Sequence, residues 1–593
     1  MEKRRGFIGR CRLKKIRSLA LLPLLSLAWF GVLLSPLPLS AYPFVNGELT
    51  GSLDTTISAG LRWRVQDRDP NLIDRHNGGN AQNALNGDDG DINFSKGLVS
   101  SAVKATHDLE MLYRNYGGFF RGSYFYDYTL SHKDELPEES KDRVARDAEL
   151  LDAYVFGHFS PYEKALQLRI GQQVVSWGEG TFIANGINVI NPIDVRKFRV
   201  PGAEVREALK PTPMYWGSLE LSQQVNLEAL YIVRFEHTEI DPRGTYFSTN
   251  DVITDGSYSL VAGFGVADEA GNIPSIGVTD GRFIMPRAAD QDAKDGGEFG
   301  AALRWFSPLM NNTEFGFYYL NYHSRLPLVN FITGTKGQPP SSARYYVVYP
   351  EDIHLYGISF NSLLPAGGTA LQGEISYRDN VPLQIEFAEV AMAATHTPTT
   401  SGGVASQLGA YNEGDVVQGY KRLRLGQVQL TATHSFGTHN WFKADQLVLL
   451  GEVGATKVFN MPAKEELRFE APGTNLPARD DIAVANQPIP QQQGGYADAF
   501  SWGYRLLGRW GYNNVVEAIN MSMLLAFAHD VQGTTPGPGG NFVENRKALT
   551  LGVGGEYMQS WSADIGYTRY FGAEAYNPIH DRDFVSLDIK YGF

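Results

Sequence analysis

The last eleven residues, Asp583 to Phe593, most restrict what this chain can fold into. Val585, Leu587, Ile589, Tyr591 and Phe593 alternate with Phe584, Ser586, Asp588, Lys590 and Gly592. A strand sends successive side chains to opposite faces, so this stretch has one apolar face and one mostly polar face. Its length, about ten residues, suits a tilted strand crossing a bilayer. The edge strand of a soluble β protein shows the same alternation, so the rest of the chain has to decide.

The pattern recurs. Near 50–65, Leu53, Ile57, Ala59, Leu61 and Trp63 oppose Ser58, Gly60, Arg62 and Arg64. Near 116–130, Tyr124, Tyr126 and Tyr128 oppose Arg121, Ser123 and Asp127. Near 498–511, Trp502, Tyr504, Leu506 and Trp510 oppose Ser501, Gly503, Arg505 and Arg509, with the indoles at the ends where aromatic girdles meet membrane interfaces. Counting all such segments predicts about 18 strands. Connections sort into two classes. Ser222-Gln223-Gln224, Gly437 to Asn440, Tyr512 to Asn514 and Gln559-Ser560 are short, whereas 66–96, 177–212, 237–296, 379–419 and 454–497 are long. A soluble sandwich has no reason to segregate its loops in this way. The sequence therefore predicts an all-β fold, a transmembrane antiparallel β-barrel with long extracellular loops and short periplasmic turns. The ending, with Tyr591 and Phe593, resembles the C-terminal signal that the barrel-assembly machinery reads on bacterial outer-membrane barrels.

Residues 1–41 have the layout of a cleaved signal peptide, a basic segment followed by an apolar run and Ser35 to Ala41, which leaves 42–593 as one barrel domain. Secretion to the periplasm and then the outer membrane of a Gram-negative cell is the expected route, with outer-membrane lipid and lipopolysaccharide as surroundings. The leader holds 8 of the 52 basic residues and 1 of the 65 acidic ones, so the remainder carries 44 against 64, a net of −20. So acidic a chain is a poor partner for nucleic acid. The one cysteine, Cys11, lies in the leader, which excludes disulfides, thiolate metal sites and a cysteine nucleophile from the barrel.

If the apolar faces meet lipid, the opposite faces point into the lumen, because the reverse would place many charges in hydrocarbon. Arg62, Arg121, Arg169, Arg234, Arg304, Arg378, Arg505 and Arg509 would then be pore-lining. They either steer anionic groups or cross-brace a wide lumen with nearby acids; the two readings are compatible. The segment 177–212 is too apolar for an exposed loop, with Phe182, Ile183, Ile187, Val189, Ile190, Ile193 and Phe198. It is expected to fold into the barrel as a constriction, bringing Glu179, Asp194, Arg196, Lys197 and Arg199, and to run into a short helix over Ala203–Leu209. Asn86-Gly87-Asp88-Asp89-Gly90-Asp91 has oxygen ligands but lacks the spacing and distal Glu of an EF-hand, so it reads as an acidic surface turn with no metal. No phosphate loop, His-Glu-x-x-His or nucleophile elbow is present, and neither catalytic residues nor a cofactor is expected.

The stretch from Leu168 to Pro211, above all Arg169 to Gly180 and Asn188 to Phe198, resembles a proteobacterial outer-membrane family known as a domain of unknown function, thirteen-oh-two. The resemblance implies a porin-like barrel whose members often accompany a periplasmic lipid-binding lipoprotein and an RND-type inner-membrane transporter. The expected function is a channel passing a small or hydrophobic solute, lipid-like if those partners apply. The alternatives are an outer-membrane enzyme of lipid metabolism and a surface receptor or adhesin.

Overall fold

The structure, a computed structural model, describes residues 42–593 apart from 366, 367, 404 and 486, and apart from the side chains of Val205 and Arg206. The expected signal peptide lies outside the described residues. Eighteen strands form the wall: β1 (Leu49–Arg64), β2 (Gly97–Tyr113), β3 (Tyr116–Asp127), β4 (Arg146–Phe159), β5 (Leu166–Gln173) and β6 (Thr212–Ser222). They continue with β7 (Val225–Ile232), β8 (Glu298–Ser307), β9 (Thr313–Tyr322), β10 (Ile353–Leu363), β11 (Thr369–Gln384) and β12 (Tyr420–Phe436). The last are β13 (Gln446–Phe459), β14 (Phe500–Val516), β15 (Ile519–Gln532), β16 (Lys547–Tyr557), β17 (Trp561–Phe571) and β18 (Phe584–Gly592). Each pairs antiparallel with its sequence neighbours, and β18 pairs with β1 over Thr56–Arg64, so the sheet closes on itself without an edge.

Closure is completed by Phe593, whose N–H and C=O exchange bonds of 2.9 and 2.7 Å with Thr55. Beyond it along β1, a short strand Tyr42–Asn46 folds back as a hairpin on Leu49–Leu53. The wall is inside out relative to a soluble protein. Ile57, Val103, Tyr126, Val155, Ile170, Tyr356, Ile375, Val428, Leu506 and Ile589 are exposed on its outer face, while Ser58, Thr106, Ser359, Gln427, Gln429, Thr431 and Thr456 are buried on the inner one. An apolar belt outside and hydrogen-bonding groups within is what a lipid-embedded barrel requires.

Strand ends differ from the sequence reading in several places. The turn expected at Tyr512 to Asn514 lies within β14, which continues through a register shift to Val516 and turns at 517–518. Asp127 Oδ1 accepts the Leu130 N–H at 3.0 Å and caps a helical turn, Tyr128–Ser131, so Tyr128 leaves the strand. The turn expected at Gly437 to Asn440 extends to 445, because the Asn440 side chain organises it through bonds to Gly437 and Ala444. β7 ends at Ile232, which puts Arg234 in the following loop instead of the wall.

The long connections are folded. Those after β7, β9, β11 and β13 share a hydrophobic core of Phe264, Phe283, Met285, Phe331, Tyr345, Val390, Phe469 and Ile482. A three-stranded sheet (Leu328–Ile332, Arg344–Val348, Val416–Val417) and the helix Phe387–Ala394 belong to this layer. It caps one end of the barrel, the end opposite Tyr42 and Phe593.

Candidate functional site

The connection between β5 and β6, residues 174–211, lies inside the barrel. Its first half packs on the inner wall of β6–β10: Val175, Trp177, Ile187 and Ile190 bury against Met214, Leu230, Ile232, Ala302, Leu320, Tyr322, Ile353 and Leu355. Close approach depends on inward glycines. A Cβ on Gly300, Gly357 or Gly454 would stand 2.8, 2.7 and 2.7 Å from Trp177, Ile187 and Ile183 respectively. The Trp177 indole N–H donates to Glu228 at 2.9 Å, and the other oxygen of Glu228 accepts from Arg304 Nε at 2.9 Å.

Two wall carboxylates hold the loop tip by its backbone. Glu374 on β11 accepts the N–H groups of Glu179, Gly180 and Ile187 at 2.6, 3.0 and 2.9 Å. Glu452 on β13 accepts those of Thr181, Phe182 and Ile183 at 2.8, 2.7 and 2.9 Å. Successive N–H groups converging on one anion form a nest, here made by the loop around side chains of the wall. Arg378 donates to the carbonyls of Asn185 and Gly186, and Gln427 to that of Ala184 at 2.7 Å. The second half of the loop returns to the far wall: Lys104 on β2 pairs with Glu207, Arg62 on β1 donates to the Arg199 carbonyl, and Gly60 lies against Pro201. The loop thus touches strands on opposite sides of the lumen. The helix expected at Ala203–Leu209 forms over Val205–Ala208, with another over Val195–Arg199.

The structure divides the residues singled out from sequence into groups. Arg62, Asp194, Arg196, Lys197 and Arg199 meet on the β1–β4 side, around a cavity of about 40 Å³, room for no more than a few waters. Each loop cation there has its own carboxylate. Arg196 forks onto Asp194 at 2.9 and 2.8 Å, Arg199 onto Asp241 at 3.0 and 2.9 Å, and Lys197 pairs with Glu149. Glu179 accepts from Asn361 at 3.0 Å near Arg304 on the opposite side. Arg121 is forked onto Asp108 at 2.7 Å, Arg169 stacks on Trp216 at 4.6 Å, and Arg505 reaches Asp530 at 2.7 Å. Arg509, on the inward register of β14, is exposed, and Arg234 pairs with Glu236 outside the wall. Tyr591 stacks between Trp561 and Phe593, with ring centroids 4.6 and 5.4 Å apart.

Sequence reasoning did not find the chamber on the cap side of the loop. It measures about 790 Å³ and is walled by seven connections together with the end of β11. Its lining mixes amides (Asn71, Asn83, Gln384, Gln492) with apolar groups such as Phe264 and Phe387. Asn185, at the tip of the crossing loop, donates to the carbonyl of Gly539 at 2.9 Å, and Gly539 is itself part of the chamber wall.

Of the chamber's carboxyls, Glu470 accepts the Phe387 N–H at 2.8 Å, and desolvation pushes it up to about 8. Glu386 beside it is also raised, by desolvation and then by Glu470 and Glu389; Arg468 pairs with Glu389 instead. A carboxyl whose folded pKa is raised binds its proton more tightly folded than unfolded. The cap should therefore lose stability as pH rises from the ordinary carboxyl range to about 8, and level off above. Limited proteolysis of the loops across this interval should show increasing cleavage in the wild type and a weaker trend in Glu470→Gln.

A family profile described as "Protein of unknown function (DUF1302)" matches residues 22–593. No curated protein matches the sequence. Among solved structures, the chain is similar to OccAB1 of Acinetobacter baumannii, with 10% identity and a TM-score of 0.42, over 93% of this chain and 97% of that one. It is also similar to OccK9 (OpdG) of Pseudomonas aeruginosa, at 11% and 0.39 over 92% and 98%. A BenF-like porin of Pseudomonas fluorescens matches at 9% and 0.39, again over 92% and 98%.

Proposed function

We propose, for a chain that belongs to the family described as Protein of unknown function (DUF1302), that it is an outer-membrane channel for a small, largely uncharged solute with an apolar body. The observation that carries this reading is the chamber of about 790 Å³ beside the lumen-crossing loop. Sites for small ligands occupy roughly 300–1,000 Å³ and combine apolar walls with a few placed polar groups. Amides orient a solute's hydrogen-bonding groups without demanding charge, and Phe264, Phe387, Leu260 and Val252 take its apolar surface. Because the loop arginines are matched by acids, the lumen is braced more than it is charged. A barrel of this size without such a loop leaves an open aqueous passage, so selectivity falls to the loop and the chamber.

Uptake into liposomes tests the reading. Neutral amphipathic solutes should enter faster than anions of equal size, and preference for the anions would sink it. Charge compensation has its own readout. Changing Arg196, Lys197 and Arg199 to Ser leaves Asp194, Glu149 and Asp241 without their cations, so the reversal potential in a salt gradient should move toward cations. An RND-type transporter and a periplasmic lipid-binding lipoprotein are the partners this reading proposes, and co-purification with the barrel is their test.

A further inference from the structure

The acidic stretch Asn86 to Asp91, expected as a surface turn, is half-buried to buried. Asp88 and Asp91 are each 1% exposed. Two buried guanidinium groups, Arg64 and Arg582, hold Asp91 at 3.1 and 3.2 Å. Among the described residues Asp88 has no such partner. Its Oδ2 accepts the Asp74 N–H at 2.8 Å and the Asn77 amide at 3.1 Å, whereas among the described residues its Oδ1 has no hydrogen-bond partner. Asp251, 3% exposed in the connection after β7, repeats the pattern. One oxygen accepts the Asp89 N–H at 3.2 Å, and the other has no partner among the described residues.

Asp88 belongs to a group of three carboxylates. Asp88, Asp89 and Glu269 each bring one oxygen within 4.8 Å of the others. The Asn77 amide bridges Asp88 and Glu269, donating to both at 3.1 and 3.0 Å, which fixes their orientation. Arg243 reaches Asp89 at 2.5 Å. Among the described residues, Asp88, Asp89, Asp251 and Glu269 thus share a single guanidinium. Buried carboxylate oxygens without donors are costly, and a metal ion is one of the few ways to satisfy several at once.

We propose that Asp88, Asp89 and Glu269, with Asp251 packed against Asp89, bind a divalent cation of the calcium class. The donors are all oxygen, with no imidazole or thiolate, which selects a hard cation. They come from two connections far apart in sequence, and calcium tolerates irregular geometry with ligands at about 2.3–2.6 Å, where magnesium demands a near-ideal octahedron. Oxygens up to 4.8 Å apart can therefore share one calcium ion. Glu269 is exposed and provides the way in, and water completes the shell. The ion would tie the connection after β1 to the connection after β7 at the chamber wall, where Asn86, Gly87 and Asn250 all stand.

The test uses the full protein, purified in detergent, stripped with EDTA and titrated with CaCl₂ or MgCl₂ in a calorimeter, with bound metal counted by elemental analysis. One Ca²⁺ per chain is expected, with Mg²⁺ bound at least about tenfold more weakly. The isosteric double variant Asp88→Asn, Glu269→Gln should lose the calcium, while Glu135→Gln, an exposed carboxylate elsewhere, should keep it. Calcium should also slow protease cleavage within 233–297 in the wild type and not in the double variant. The heat-dependent gel shift of a folded barrel confirms that each variant is intact. No calcium bound by the wild type, or equal binding by the folded double variant, would overturn the site. Equal affinity for magnesium would overturn its assignment to calcium.

Discussion

Deleting Phe593 should lower the amount of folded barrel in the outer membrane several-fold. The residue exchanges two backbone bonds with Thr55 at the seam between β18 and β1, the one place where the ring is closed by strands distant in sequence. It also ends the ladder Trp561–Tyr591–Phe593, in which each aromatic contact contributes about 0.5–1.5 kcal/mol beyond burial. Losing both weakens the pairing that closes the ring, and a change of about 1–2 kcal/mol is enough to alter steady-state abundance several-fold. If the barrel-assembly machinery also reads this terminus, as the sequence suggests, the loss is larger. Membrane fractionation with the heat-dependent gel shift measures the outcome, and wild-type levels of folded barrel would refute the importance of the seam.

The wall was legible because lipid imposes a simple rule on it. Every strand that crosses must be apolar outside, and the polar partners at alternate positions then have nowhere to point but inward. Alternation at Val585 to Phe593 or Leu53 to Trp63 therefore marked the wall, and the segregation of short and long connections set it apart from a soluble sandwich. The rule fails where the inner face meets protein instead of water. Val225 to Ile232 is apolar on both faces near its end, with Leu230 and Ile232 inward and Ala229 and Tyr231 outward, and at β10 Ile353 and Leu355 face inward with Tyr356 outward. Those doubly apolar strand ends mark the wall on which the crossing loop packs. Together with the inward glycines Gly300, Gly357 and Gly454, they were the available signal for its position.

Exchanging both Glu374 and Glu452 for Gln should release the loop without removing it. Between them these carboxylates accept six backbone N–H groups. Hydrogen bonds to charged groups are worth about 1.5–3 kcal/mol each, so this is the strongest tether along 178–187. Gln keeps one acceptor and turns an NH₂ donor toward N–H donors, leaving buried groups unsatisfied at a cost of about 1–3 kcal/mol each. The double variant should give noisy, larger currents, with cleavage inside 178–187 by an added protease. Quiet currents and a protected loop would show that wall packing alone holds it.

The tether was invisible in sequence for a physical reason. A carboxylate that accepts backbone N–H groups leaves no trace in the residues donating them, and Glu374 reads as one more lumen acid. Pairing of the loop cations was only partly legible. Asp194 and Arg196 are two residues apart, so their fork is local, whereas Asp241 and Glu149 reach Arg199 and Lys197 only through the closed barrel. That is why a basic cluster in the sequence becomes a compensated brace in the fold.

Single-channel conductance, recorded in planar bilayers from the wild type and from a variant with 180–205 replaced by a short Gly/Ser linker, tests the central claim most directly. Both proteins must first show the gel shift of a folded barrel. If the loop is the constriction, the wild type conducts weakly and the variant conducts several-fold more, as expected when a barrel of about 18 strands is left open to water. Equal conductance from two folded barrels would contradict the account, because the loop would then cross the lumen without limiting what passes.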